Sequence, residues 1–151
     1  MAKLKEIENH LNKLHLPYKV KNLGGEVFTV ATKAKALGIR EEDVVKTLIV
    51  RTNDGFAALA VRGSDKVDFK KARKLLGSKC ELAREDEVLK VAGVPIGAVC
   101  PILLSVPIYI DRNVLKLNNV HMGSGDLQNG LEMKFSDLLI AIGNYKSAIL
   151  V

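Results

Sequence analysis

A lysine stands inside an apolar run, Asp43-Val-Val-Lys-Thr-Leu-Ile-Val50. The run is rich in β-branched residues, follows the acidic stretch 41–43 and leads into Asn53-Asp54-Gly55, so it reads as a strand. Alternation places Val44, Lys46, Leu48 and Val50 on one face. A lysine among three aliphatics is desolvated unless its ammonium reaches water or an anion. Two readings follow. The stem snorkels over the apolar face with its head in solvent, or Lys46 lines a cleft and offers three rotatable donors to an anionic ligand such as a phosphate.

The second stretch with chemical content is Ala92-Gly-Val-Pro-Ile-Gly-Ala-Val-Cys-Pro101, in which Gly97 and Pro101 form a Gly-x-x-x-Pro. Glycine lets a ligand approach the backbone, and proline fixes the exit of the loop. Such a loop can aim main-chain N–H groups at an oxyanion, the chief device of acyl transfer. Taken alone, the spacing reads first as a structural turn.

Other chemistries find no support. The chain has no Gly-x-Ser-x-Gly, no phosphate-binding P-loop and no dinucleotide fingerprint. Cys80 and Cys100 are its only cysteines and form neither a Cys-x-x-Cys pair nor a disulfide framework. His10, His15 and His121 show no ligand spacing, so no metal and no cofactor are expected. Cys100 and His121 could pair as nucleophile and base, but nothing in the sequence brings them together. A cysteine between Val99 and Pro101 reads first as a small packing residue.

The elements that would position these residues are legible from periodicity. Leu4, Ile7, Leu11 and Leu14 recur at helical spacing until Pro17. A short strand follows at 18–20, then a turn at Gly24-Gly25. Thr29 is placed to cap a helix over 31–37 that Gly38 stops. The Lys46 strand, a turn at 52–55 and a returning strand at 56–61 form a hairpin. Asp68 opens a helix that Gly77 ends, 80–82 is a short strand, and 84–91 is a helix ended by Gly93. Three of the four prolines fall in 93–107, which must be irregular. Strands are expected at 106–111, 119–122 and 130–133, a helix capped by Ser136 runs to Ile142, and 147–151 is a last strand. The expected class is α+β: a mixed, barrel-like sheet of six or seven strands surrounded by helices, in a single domain over 1–151.

At 151 residues, 48% hydrophobic and 26% charged, the chain has the size and composition of one globular domain. It has no membrane-length apolar stretch and no signal-peptide apolar region, so a cytoplasmic location is expected. The net charge of +6 favours a polyanionic partner. The excess is densest over 66–79, where Lys70, Lys71 and Lys74 are either a solvated helix face or an RNA-facing patch. Aromatic residues are only 5% with no tryptophan, which argues against a single-strand binder that stacks bases.

In combination these motifs resemble the YbaK/prolyl-tRNA-synthetase-associated editing domains, over roughly 26–142. Glu26-Val-Phe-Thr-Val30 before Ala36-Leu-Gly38, Val45-Lys-Thr-Leu48, Val67-Asp68, Ala92-Gly93 with Gly97-Ala-Val-Cys-Pro101, Ile108-Tyr-Ile-Asp111 and Gly123-Ser-Gly125 before Leu131-Glu132 follow the family's order and spacing. The resemblance implies a deacylase acting on the ester of mischarged tRNA, with a synthetase as a further partner. It implies Lys46, Gly97 and Pro101 as catalytic residues, and a pocket that also takes in Thr29, Thr47, Ala98, Val99, Cys100, Gly123, Ser124 and Gly125. In that pocket Lys46 would meet the tRNA acceptor end, and backbone donors near Gly97 and at 123–125 would hold the oxyanion. Ala92, Ala98, Cys100 and Asp126 depart from the residues usual in the family, and these departures bear on which amino acid is removed. An aminoacyl ester is an activated bond, so positioning and oxyanion stabilisation can replace a side-chain triad. The expected function is a free-standing trans-editing deacylase acting on prolyl-tRNA that carries alanine, cysteine or a similar small residue. The alternatives are a non-catalytic tRNA-binding module on the same scaffold and a protein-interaction domain with a vestigial pocket.

Overall fold

The computed structural model describes residues 3–151. In chain order the elements are α1 (Leu4–Lys13), β1 (Lys19–Asn22), α2 (Val30–Leu37), β2 (Val44–Thr52), β3 (Gly55–Arg62), α3 (Phe69–Leu76), β4 (Cys80–Leu82), α4 (Glu85–Ala92), β5 (Ile108–Asp111), β6 (Asn119–Gly123), β7 (Asn129–Lys134), α5 (Phe135–Ile142) and β8 (Lys146–Ala148). Among the described residues no helix is long and apolar enough to cross a membrane.

Local chemistry sets most boundaries. Thr29 Oγ1 accepts the Thr32 N–H at 3.2 Å and starts α2. Asp68 accepts the Lys70 and Lys71 N–H groups and starts α3. Ser136 does not cap α5. The helix begins at Phe135, whose N–H donates to the Asn118 carbonyl at 2.7 Å, and Lys134 precedes it without a side-chain cap. Burial of Phe135 and this backbone bond fix the entry in place of a hydroxyl. The tail strand is Lys146–Ala148 and not 147–151.

The sheet is mixed and has eight strands, one or two more than the sequence suggested. Its order is β1-β7-β6-β2-β3-β5-β8, with β4 also paired to β2. Each segment expected as a strand joins this one sheet, down to the three-residue β8 and the four-residue β1.

The centre of the sheet is β2, and its two edges differ. Along one edge it pairs with β3 from Val45 to Thr52. Along the other it pairs with β6 only at Val44 and Val45, and with β4 only from Val50 to Thr52. The middle of that edge, at Lys46, Thr47 and Leu48, has no strand beside it. The Val44 carbonyl accepts from Gly63 N–H on the β3 side, and the Ile49 carbonyl accepts from Ala83 N–H on the other. Hydrogen-bonding direction alternates along an antiparallel strand, so the Thr47 N–H and C=O point into the gap.

The faces of β2 and β3 are buried in two cores. Val45, Ile49, Ala58 and Ala60 join the larger one, with Ile7 and Leu11 of α1. Val50, Ala57, Leu59 and Val61 join the smaller one under Ala72 of α3. Ile7 and Leu11 are fully buried, and each such side chain contributes about 1.5–3 kcal/mol as an upper bound.

Candidate active site

The gap in β2 opens into a cleft of about 200 Å³. Its floor is the exposed middle of β2, with Lys46 from one face and Thr47 from the other. Phe28, Thr29 and Lys33 close it from the α2 side, while Ile96, Gly97, Val99 and Gly123 close it opposite. Two cations and no carboxylate line it.

Lys46 is half-buried and pairs across the hairpin with Val61. Its ammonium donates to the Asp65 main-chain carbonyl. The Asp65 carboxylate is itself clamped by Arg62, at 2.8 and 3.1 Å, and takes a further bond from Asn113 Nδ2 at 3.3 Å. Burial pushes the Lys46 pKa below its ordinary value, and the nearby Asp65 charge opposes that shift. The Arg62 guanidinium holds the Asp65 carboxyl below the usual range. The side chain thus lines the cleft, and its head rests on a main-chain carbonyl and not in open solvent.

Thr47 has the most unspent hydrogen-bonding capacity in the cleft. Its Oγ1 is buried without a partner. Its N–H and C=O face the gap, where no strand meets them. Buried backbone groups are nearly always paired, so an unpaired set beside a cleft marks where a ligand is held.

The loop after α4 forms the opposite wall. Gly97 adopts φ +94°, and a Cβ there would meet the Phe28 backbone at 2.8–3.1 Å. Gly123 is equally constrained, because its Cβ would lie 2.9 Å from the Ala98 carbonyl carbon. Two main chains therefore pack against glycines to shape one wall.

The structure brings Lys46, Thr47, Gly97, Val99, Gly123 and Thr29 to one cleft. Ala98, Cys100, Pro101 and Ser124 lie buried behind it and do not line it. Gly125 lies in a separate surface concavity near Asp126 and Gln128. Its N–H donates to the Ala98 carbonyl at 2.7 Å. That bond stitches the two loops together, and it corrects the expectation that the 123–125 loop leaves this donor free for an oxyanion. Ser124 Oγ donates to the Asn129 carbonyl at 2.6 Å and so braces the same loop. Burial pushes the Cys100 thiol up to about 12, which leaves it protonated and non-nucleophilic at neutral pH. Lys70, Lys71 and Lys74 are exposed on α3, away from the cleft. Lys71 Nζ donates to the Val151 carbonyl at 2.7 Å, and Lys71, Lys74 and Arg112 rim a shallow groove there.

Sequence reasoning missed two residues. Lys33 sits in Ala31-Thr-Lys-Ala-Lys35, which reads as a solvated helix face, yet it is only 6% exposed. Asp65 accepts the Lys46 ammonium on its main-chain carbonyl. Its signal was the Arg62-x-x-Asp65 spacing, which suits an ion pair across a tight turn.

The arrangement defines an α/β domain with a cationic cleft that β2 main-chain groups face and whose lining holds no cysteine, serine or histidine. That is a site suited to hydrolysing an already activated ester. The comparisons agree: residues 25–140 match the model of the aminoacyl-tRNA editing domain, and the chain belongs to that family. The family's description names the editing of aminoacyl-tRNA.

Among curated relatives, the proline–tRNA ligase of Caldicellulosiruptor saccharolyticus is 36% identical over 99 residues, covering 65% of this chain and 17% of the ligase. That of Shouchella clausii is 32% identical over 103 residues, covering 67% and 18%. The chain thus corresponds to under a fifth of these ligases. A solved structure described as a candidate trans-editing enzyme for prolyl tRNA synthetase superposes with a TM-score of 0.84 at 26% identity, covering 97% of this chain and 95% of that one. A second, of a hypothetical protein, gives 0.86 at 29%, covering 95% and 97%.

Proposed function

We propose that the chain acts in trans on misacylated tRNA, with prolyl-tRNA carrying a small amino acid such as alanine or cysteine as substrate. The observation that carries this reading is the unpaired middle of β2, where Lys46 and the Thr47 main chain meet a wall shaped by Gly97. Lys46 anchors the terminal nucleotide of the acceptor end. Main-chain N–H groups, that of Thr47 first, face the ester carbonyl and hold the oxyanion as water adds to it. The ribose oxygen then leaves with a proton, and the amino acid is released. A cleft of about 200 Å³ admits a small acyl group and a ribose edge but not a large side chain. The similarity to proline–tRNA ligases and to the candidate trans-editing enzyme supports prolyl-tRNA as the carrier and a prolyl-tRNA synthetase as the associated enzyme.

The test is a panel of tRNAs, each charged with one amino acid, incubated with the protein while ester loss is followed above the spontaneous rate. Loss from mischarged prolyl-tRNA supports the reading. Tight binding without loss supports the non-catalytic module instead.

A further inference from the structure

Lys33 is the feature of the cleft that ester hydrolysis on a small apolar acyl group does not use. It lies on α2, one turn after the Thr29 cap, and is 94% buried by residue surface. It lines the same cleft as Thr47 and Gly97. Among the described residues its ammonium has no hydrogen bond and no carboxylate within ion-pair reach. Burial pushes its pKa down. Its stem is enclosed, whereas Nζ is not fully buried and keeps some contact with solvent through the cleft, with no protein acceptor facing it. Thr47 Oγ1, fully buried and unpartnered, lines the same cavity. Lys46, by contrast, has its Asp65 carbonyl.

We infer that Lys33 and the Thr47 hydroxyl form a subsite for the side chain of the acyl group, and that this subsite selects side chains ending in a hydrogen-bond acceptor, a carboxylate above all. The inference rests on the deacylase reading and names the kind of acyl group that reading leaves open. Both groups are donors, and the cleft lining holds no acid that could neutralise Lys33. An acyl side chain ending in carboxylate, thiolate or hydroxyl satisfies both donors. A methyl group leaves the buried Thr47 hydroxyl unpaired and leaves the Lys33 ammonium only the solvent that the cleft admits. Sites that hydrogen-bond a substrate group reject analogues lacking it far more strongly than apolar pockets reject an extra methylene. Of the two small residues proposed above, cysteine suits this subsite and alanine does not.

The test uses one tRNA charged separately with aspartate, asparagine, cysteine and alanine, with kcat/KM measured for the wild-type chain, Lys33→Met and Lys33→Arg. Aspartate and asparagine have nearly the same shape, so their ratio isolates charge. We expect wild type to prefer the aspartyl over the asparaginyl ester, and the cysteinyl over the alanyl ester, by about tenfold or more. Lys33→Met should bring both ratios to about one, and Lys33→Arg should retain the aspartyl preference. Equal wild-type rates on all four esters would overturn the subsite even if Lys33→Met failed to fold. A Lys33→Met variant that folds and loses all four esters equally would assign Lys33 to proton transfer or positioning, which also overturns it. If none of the four esters is cleaved, the deacylase reading fails and takes the subsite with it, an outcome distinct from unselective cleavage.

Discussion

Replacing Gly97 by alanine tests whether the wall of the cleft works by close backbone approach. Two costs are built into the position. The first is conformational: φ is +94°, a region in which a residue with a Cβ is strained by on the order of 1–3 kcal/mol. The second is spatial: the new methyl would meet Phe28 O at 2.8 Å and Phe28 Cα at 2.9 Å, where ordinary contact begins at 3.4 Å. Both obstacles are main chain, so the loop and the Phe28 segment must separate by about 0.5 Å, widening the cleft between them. Misplacement of about 1 Å in a site that works by positioning costs on the order of a hundredfold, so half of that should cost roughly tenfold. Gly77 supplies the control. It too has positive φ, at +61°, but no atom lies within 4 Å of its would-be Cβ. Gly77→Ala should lower the melting temperature by a few degrees and leave the rate per folded molecule intact. Gly97→Ala should lower both, read by thermal unfolding beside single-turnover deacylation. Equal rates in the two variants would refute the idea that close approach at Gly97 shapes the site.

Three further outcomes follow. Cys100→Ser should keep most of the deacylation rate and trap no acyl-enzyme, because burial keeps the thiol protonated; a covalent adduct at Cys100 in the wild-type chain would contradict this. Neutralising Lys70, Lys71 and Lys74 together should weaken tRNA binding and flatten its salt dependence by roughly one unit per lost phosphate contact, and an unchanged slope would place the RNA surface elsewhere. His121 is buried, its Nδ1 has no hydrogen-bond partner, and burial lowers its pKa below 6.5 against the pull of Glu132. The unfolded chain then binds a proton that the native state resists, so stability falls as pH drops below about 6.5 and levels off below the lowered native value. His121→Asn should flatten that part of the stability curve, measured by denaturant midpoints across pH.

Much of this was readable in advance because local chemistry decided it. The spacing of Ile7 and Leu11, the Thr29 and Asp68 caps and the strand around Lys46 act within a few residues, and the structure has them where the sequence put them. The cleft was only half readable. Lys46 announced itself by breaking an apolar run, whereas Lys33 sits among residues that suit a solvated helix, and only the packing of α2 against the β2 gap buries it. The gap is itself a product of topology: β6 and β4 each cover one end of β2, and no feature of either segment shows that they stop short of Thr47. Pro101 and Ser124 look like site residues because they flank the loops that form the cleft, but the chain turns their side chains inward.

The central claim is that Lys46 serves the reaction more than the fold. The direct measurement is single-turnover deacylation of mischarged prolyl-tRNA by the wild-type chain and Lys46→Ala, with thermal unfolding of both. Lys46→Ala loses one bond to the Asp65 carbonyl and sheds the cost of a half-buried charge, so its melting temperature should move by no more than a few degrees. Its rate should fall on the order of a hundredfold, as expected when about 3 kcal/mol of transition-state stabilisation is removed. A variant that melts early yet deacylates at the normal rate per folded molecule would show that the lysine is structural and that the site is elsewhere.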